Sequence, residues 1–534
     1  MIENTTSPEE IKVYPQLKIL IRNAAIIDGS GNPPYQADLA VMGDRILDIG
    51  RFPNAQADLD IDAAGKVLCP GFIDPHSHSE LAMLAGKHTA GVQMGVTTEF
   101  TGPDGFGFAP LPAGRLEEYR AYLHGIYGDV DLDWNWRTFG EYLNRFEGTV
   151  YNNVVPQIPH GAVRLAVKGW GAGPANDDEL EAMRRIVREC MENGSVGIAT
   201  GLDYAPASHS DLRELVELSK IAAEYGGVYA THMRGYGEEE RETSIAEILS
   251  IAEGANIGVH INHFFGNPHI YASTEAARAR GIDITLDAYP YPAGATLLTF
   301  VFPRTLVTTS VNDFLKKIHT PEIRQIVKRA LENEMPEDSP AYFAYLTKPK
   351  NKWMEGKRVR DAWRESSHDS FDQFVCDLLV DEGMAPLLIY PWSDLPEGNE
   401  ERLRCSLTHP LQMVITDGIY VGSSAHPRGW GTYPRLLGQY VREKGWLTLE
   451  DAVRRMTSFP AARFGLTDRG LIKKGLAADL VIFDAKTVRD RATWTEPRLS
   501  PEGMDGVFVN GNQVVDKGRL LEGKYPGHVL RRNR

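Results

Sequence analysis

The chain has 534 residues, 42% of them hydrophobic and 24% charged, with a net charge of −15. Such a composition fits a soluble globular protein, and its negative balance excludes nucleic acid or an anionic membrane surface as the main partner. No apolar run approaches ~18 residues, so no membrane span is expected. At roughly 100–200 residues per domain, the length implies two or three domains.

The opening stretch, Met1 to Glu10, has neither a basic nor an apolar region and does not read as a signal peptide. Residues 17–66 read as a β meander. Leu17 to Arg22 alternates apolar and polar, Asp28-Gly-Ser-Gly31 is a turn, and Leu39–Met42 and Arg45–Ile49 flank a turn at Gly43-Asp44. Residues 1–67 are therefore expected to form the first part of a β-sandwich domain.

From residue 68 the pattern changes to apolar runs alternating with helical stretches. The runs are Phe72-Ile73, Val96–Thr98, Asn153–Ile158, Val196–Ala199, Val228–Ala230, Ile257–Ile261, Ile284–Leu286 and Met413–Ile415. Segments of helical period, such as Asp178 to Asn193 and Leu212 to Tyr225, lie between them. About eight such units predict an α/β fold, a (β/α)8 TIM-like barrel over 68–469. A doubly wound sheet is the alternative, but no Gly-x-Gly-x-x-Gly follows the first strand. The spacing breaks at about 302–400, a charged, proline-containing segment. A connection that long reads as an inserted lid over the barrel mouth. β character returns over 470–534, in Ala478–Phe483, Gly506–Val509 and Gln513–Val515. Both chain ends are thus expected to build one small β-sandwich beside the barrel. Four widely spaced cysteines, Cys69, Cys190, Cys376 and Cys405, make no disulfide framework. A cytoplasmic location is expected.

Active sites of such barrels lie at the C-terminal strand ends. The first strand runs into His76-Ser77-His78, whose imidazoles share one face. The second leads to Glu99 and Asp104, the fifth ends in His232, the sixth in Asn262-His263, the seventh in Asp287 to Tyr291, and the eighth in Thr416-Asp417-Gly418. Histidine is the commonest metal ligand near neutral pH, and nitrogen donors suit zinc. Four histidines and several carboxylates converging on one rim therefore predict a metal site.

The order His-x-His, His, His, Asp on strands one, five, six and eight resembles the amidohydrolase superfamily. Longer stretches are similar to its N-acyl-D-amino-acid deacylase (D-aminoacylase) family: Pro70–His78, Gly95–Thr98, Gly194–Tyr204, Thr231–Arg234, Asp287–Gly294, His426–Arg435 and Gly475–Asp484. The resemblance covers nearly the whole chain and is weakest over 302–400. It implies a zinc-dependent hydrolase cleaving the amide of an N-acyl amino acid, of D configuration, or of a related N-acyl amine, with one or two Zn2+. His76 and His78 would hold one position and His232 and His263 a second. Asp417 would be the catalytic acid/base, with Tyr204, Tyr289 and Arg428 around the substrate and its carboxylate. Three departures stand out. Asp104 occupies the family's metal-binding cysteine position, with Glu99 as the competing ligand. His263 is followed by Phe264-Phe265 where the family has a carboxylate-holding lysine. Ala295 replaces a serine. The implied partner is a small N-acyl substrate, and a further copy of the chain is the one macromolecular partner left open.

Four other candidates weigh less. Lys168 as a carbamylated bridge lies on a loop, His160 reads as structural, and the Trp134-Asn-Trp136 pair and His88 read as core or ordinary surface. Opening of a cyclic amide is the rival reaction, and a non-catalytic metal-binding scaffold is the rival class.

Overall fold

The computed structural model describes residues 16–304, 306–392 and 396–532. The N-terminal stretch discussed above lies outside them. Eight parallel strands form the central element. Phe72–Asp74, Val96–Thr101 and Asn153–Pro156 pair in that order. A second arc runs Ile158–Pro159, Gly197–Gly201, Val228–His232, Gly258–Ile261, Ile284–Ala288 and Gln412–Val414, again all parallel. The third strand belongs to both arcs, breaking its pairing at Gln157.

The ring closes between the first and eighth strands. Ser77–His78 pairs in parallel with Gly418–Ile419. Below that pairing, buried Asp74 accepts the Thr416 N–H at 3.1 Å, the Thr416 hydroxyl at 2.5 Å and the His76 N–H at 3.3 Å. Strands buried on both faces read as continuous apolar runs, which is why the barrel segments lack strict alternation.

The surrounding helices show their causes in sequence. Asp177–Glu192 starts at Asn176, which shares a reciprocal capping box with Glu179, and buries Leu180, Met183 and Val187 at helical spacing. Leu212–Glu224 is capped by Asp211 and buries Leu215, Leu218 and Ile221. Phe139–Asn144 carries a Thr138–Glu141 capping box. Beside it Trp136 is buried, donating its indole N–H to the Phe108 carbonyl at 2.9 Å.

Strands from both chain ends meet in one nine-stranded sheet. Val67–Pro70 pairs with Leu17–Ile26 on one side and Leu480–Phe483 on the other. Ile21, Val41, Ile482 and Phe508 share one core, so the sheet folds over on itself. A third layer lies between strands seven and eight of the barrel. Ala293–Leu297, Tyr342–Tyr345 and Leu387–Pro391 make a three-stranded antiparallel sheet flanked by helices such as Pro321–Glu334 and Phe371–Glu382. The helix Pro396–Thr408 then returns the chain to the eighth strand.

Candidate metal centre

At the C-terminal mouth of the barrel the structure gathers His76, His78, Asp104, His232, His263 and Asp417, six side chains separated by up to hundreds of residues in sequence. They divide into two facing groups. His76 Nε2 and His78 Nε2 stand 3.4–3.5 Å from Asp417 Oδ1 and 3.5 Å from Asp104 Oδ2. On the other side His232 Nδ1 and His263 Nε2 lie 3.1 Å apart, and Asp104 Oδ1 is 3.9 and 3.6 Å from them. One Asp104 carboxylate thus turns an oxygen to each pair of histidines.

These distances are a test of fit for a metal. Most of the N···O contacts are too long for hydrogen bonds. Two donors held ~2.0–2.1 Å from one tetrahedral ion stand about 3.3–3.4 Å apart, which is close to the spacing in the first group. Both ring nitrogens of buried His76 and Nε2 of His232 have no hydrogen-bond partner among the described residues. Buried polar atoms without partners are rare and call for an explanation, and a shared cation supplies one. The donor set of imidazole nitrogens and carboxylate oxygens suits zinc.

The electrostatics agree. Burial depresses the basicity of His78, but Asp104 and Asp417 outweigh it and hold its pKa up at about 9. His263 is raised in the same way, burial being overcome chiefly by Asp104. His232 is lowered, mainly by burial. Burial would raise Asp104 and Asp417, yet the histidines hold Asp104 well below the usual carboxylate range and Arg428, with the histidines, does so for Asp417. Two ionised carboxylates in a buried nest draw positive charge to themselves, from protons or from a metal.

The backbone shows what holding this geometry requires. Asp104, His263 and Asp417 all have positive φ, at 55°, 35° and 46°. Non-glycine residues rarely adopt that region, and such strain collects at functional sites. Neighbouring groups hold each one there. The Asp417 N–H donates to the His76 carbonyl at 2.9 Å. The His263 N–H donates to Asp287, whose other oxygen is 2.7 Å from His260 Nε2. Asp104 follows Gly102 and precedes Gly105, both at positive φ, and a Cβ on Gly201 would stand 2.3 Å from the Asp104 carbonyl. Behind the first histidine pair, His78 Nδ1 meets the Tyr127 hydroxyl at 3.2 Å, and Tyr127 and Tyr142 both donate to buried Glu80. Outer partners of this kind fix the orientation of a ligating ring.

The cavity above the six residues has a volume of about 240 Å3. Tyr204 and Tyr289 stand in its wall. The Tyr204 hydroxyl is 3.0 Å from Thr296 Oγ1 and its ring lies 4.8 Å from His232. Arg428 is buried, with its guanidinium 4.5 Å above the Tyr289 ring and Nη1 2.8 Å from Asp417 Oδ2. Despite that ion pair, the angles leave its N–H groups without a well-formed hydrogen bond.

The weighed alternatives sit elsewhere. Glu99 accepts from Ser79 Oγ at 2.6 Å and meets His88 Nε2 at 2.7 Å, forming a separate buried network away from the histidine cluster. Lys168 pairs with Glu179 at 3.1 Å. His160 and Arg164 pair with buried Glu214. Sequence reasoning passed over Asp203, whose Oδ2 is 3.9 Å from His232 Nε2 and whose Oδ1 pairs with Arg304. It also passed over Tyr236, whose hydroxyl donates to the Asn262 carbonyl at 3.0 Å beside the second histidine pair. Asp203 sits next to Tyr204 in the matched stretch Gly194–Tyr204, which was the available signal. Tyr236 lies on a loop with no pattern to mark it.

Comparison with known proteins places this geometry in context. A family model described as the amidohydrolase family matches residues 60–515. A D-aminoacylase of Alcaligenes xylosoxydans xylosoxydans is 32% identical over 96% of this chain and 97% of that protein. An N-acyl-D-glutamate deacylase of the same organism is 31% identical over 97% of both. The crystal structure of the N-acyl-D-glutamate deacylase from Bordetella bronchiseptica, complexed with zinc and a phosphonate mimic of the tetrahedral intermediate, is 30% identical. It matches 97% of this chain and 100% of that one with a TM-score of 0.79.

Proposed function

The chain belongs to the amidohydrolase family, and on that premise we propose that it is a zinc-dependent hydrolase of the D-aminoacylase type, cleaving the linear amide of an N-acyl-D-amino acid. The observation that carries the reading is the first histidine group. The His76 and His78 Nε2 atoms stand 3.4–3.5 Å from one oxygen each of Asp104 and Asp417, the spacing of ligands on one tetrahedral ion; both His76 nitrogens have no hydrogen-bond partner among the described residues, and His78, Asp104 and Asp417 line the cavity. The four cysteines are free thiols, which supports a cytoplasmic location.

In this reading His76 and His78 would hold one metal position and His232 and His263 the second, with Asp104 turning an oxygen towards each pair. The metal, when bound, supplies a Lewis acid that polarises the scissile carbonyl and acidifies water. Asp417 does the proton work. Its Oδ1 faces the first position while Oδ2 is tied to Arg428, so one oxygen is left to receive a proton. It is ionised at neutral pH, as a general base must be. As the C–O bond forms, water gives its proton to Asp417. As the C–N bond breaks, Asp417 returns that proton to the departing nitrogen, leaving a free amine and a carboxylic acid. Arg428 orients Asp417 through that ion pair. Tyr204 and Tyr289 wall the cavity and exclude water from the amide.

The test has two parts. Purified protein should contain zinc and hydrolyse linear N-acyl-D-amino acids in preference to cyclic amides, losing activity to a chelator and regaining it with Zn2+. Asp417→Asn should keep its metal and lose turnover by a factor on the order of 10² or more. Near-parental turnover in that variant would overturn the role of Asp417, and a ring-opening preference would overturn the substrate class.

A further inference from the structure

Two arginines face the candidate cavity, and they differ in what surrounds them. Arg428 is neutralised by Asp417. Arg402, on the helix Pro396–Thr408 that leads out of the inserted segment, also lines the cavity. It is half-buried, yet its guanidinium forms no ion pair or hydrogen bond with any described residue. Among the described residues its close partner is an aromatic face, the Trp392 ring 4.1 Å away. Trp392 in turn meets Phe265 edge-on at 4.7 Å, and Phe265 meets Tyr289 at 4.8 Å. A ladder of rings therefore runs from the Arg428–Tyr289 stack up to Arg402. Burial is the largest influence on the Arg402 charge and lowers its pKa, joined by the nearby Arg241, while Tyr289 and Tyr271 act the other way. A guanidinium still remains charged at neutral pH.

A half-buried cation with no counter-charge among the described residues, turned into a cavity, is an arrangement that an anionic ligand completes. We propose that Arg402 binds the carboxylate of the substrate, so that the inserted segment supplies the charge that selects an N-acyl amino acid over an N-acyl amine. The proposal rests on the N-acyl amino acid reading above. It assigns the carboxylate to a residue outside the barrel strands. Phe264 and Phe265, which follow His263, bring no cation to that side of the cavity; the Phe265–Trp392 contact places Arg402 there instead. Planar guanidinium groups grip carboxylates with two parallel N–H bonds, and stacking on Trp392 restricts the plane in which that fork lies.

The test is binding, measured apart from turnover. The probes are an N-methylsulfonyl amino acid, which has no hydrolysable carbonyl, and its neutral carboxamide. Each is titrated into the zinc-loaded full chain by calorimetry. The parent should prefer the carboxylate by about tenfold or more. Arg402→Met should lose most of that preference while binding the carboxamide as the parent does, and Arg402→Lys should retain part of it. Full preference in the folded Met variant, or no preference in the parent, overturns the proposal. Hydrolysis of N-acyl-D-amino acids by the same parent preparation is scored separately. A preparation that hydrolyses them but shows an unchanged preference in Arg402→Met sinks only the arginine's role.

Discussion

Glu99, inside the second barrel strand, and Asp104, in the turn that follows it, show how two carboxylates five residues apart diverge. Both are buried, but Asp104 faces four histidines while Glu99 is held by Ser79 and His88. Asp104→Ala should therefore reduce bound metal sharply, read by elemental analysis. Glu99→Ala should retain metal and instead lower the urea midpoint, because it strands the buried His88 and Ser79 groups at a cost of about 1–3 kcal/mol. The reverse order would exchange their roles. Much at this scale could be read from sequence: His76, His78, His232, His263 and Asp417 each follow an apolar run, and a barrel places such strand ends on one rim. Asp104 was named as a ligand, but its double contact was not legible, since nothing in Pro103-Asp-Gly105 shows that one carboxylate faces both histidine pairs. Nor was Arg402, because no periodicity ties its helix to a strand end.

Among the elements, the closure between the first and eighth strands bears most directly on the site. Asp74 satisfies two backbone N–H groups and one hydroxyl across that seam, and His76 and Asp417 lie directly beyond it. Burial and the nearby Glu99 push the Asp74 carboxyl well above its usual pKa, so a neutral amide of the same shape should serve. Asp74→Asn is expected to fold with near-parental stability and metal content. Asp74→Ala should lower stability by about 1–3 kcal/mol through the unpaired N–H groups, and should lose metal as the two ligand loops separate. Urea unfolding and elemental analysis read the two effects, and equal behaviour of the variants would refute the account. The eight strands were legible because each is an apolar run bounded by helix signals. The break of the third strand at Gln157 was not, because pairing across a ring depends on neighbours far away in the sequence. The antiparallel sheet that starts at Ala293 was hidden for the same reason.

At the scale of the whole molecule, the C-terminal segment ties regions that strand pairing leaves apart. Val154 donates to the His528 carbonyl at 2.8 Å and accepts from Leu530 at 2.7 Å, while the Arg532 N–H donates to the Gly194 carbonyl at 2.8 Å. The segment therefore lies against the third barrel strand and the loop before the fourth, at the end of the barrel remote from the metal-facing residues. Truncation before His528 should leave metal content unchanged and lower the urea midpoint. Loss of metal in a truncated protein that remains folded would show instead that the strap reaches the site. That both chain ends belong to one β unit was legible from their shared short, glycine-punctuated strands. The strap was not, since Pro526 to Arg532 carries no pattern of its own.

Three of the residues around the candidate centre sit in backbone conformations that their side chains disfavour, at a cost of about 1–3 kcal/mol each. Glycine would occupy those positions more comfortably. Durability and chemistry are therefore opposed at this rim. Residues that bind nothing would sit there at less cost, so holding Asp104, His263 and Asp417 at this rim takes stability from the rest of the molecule.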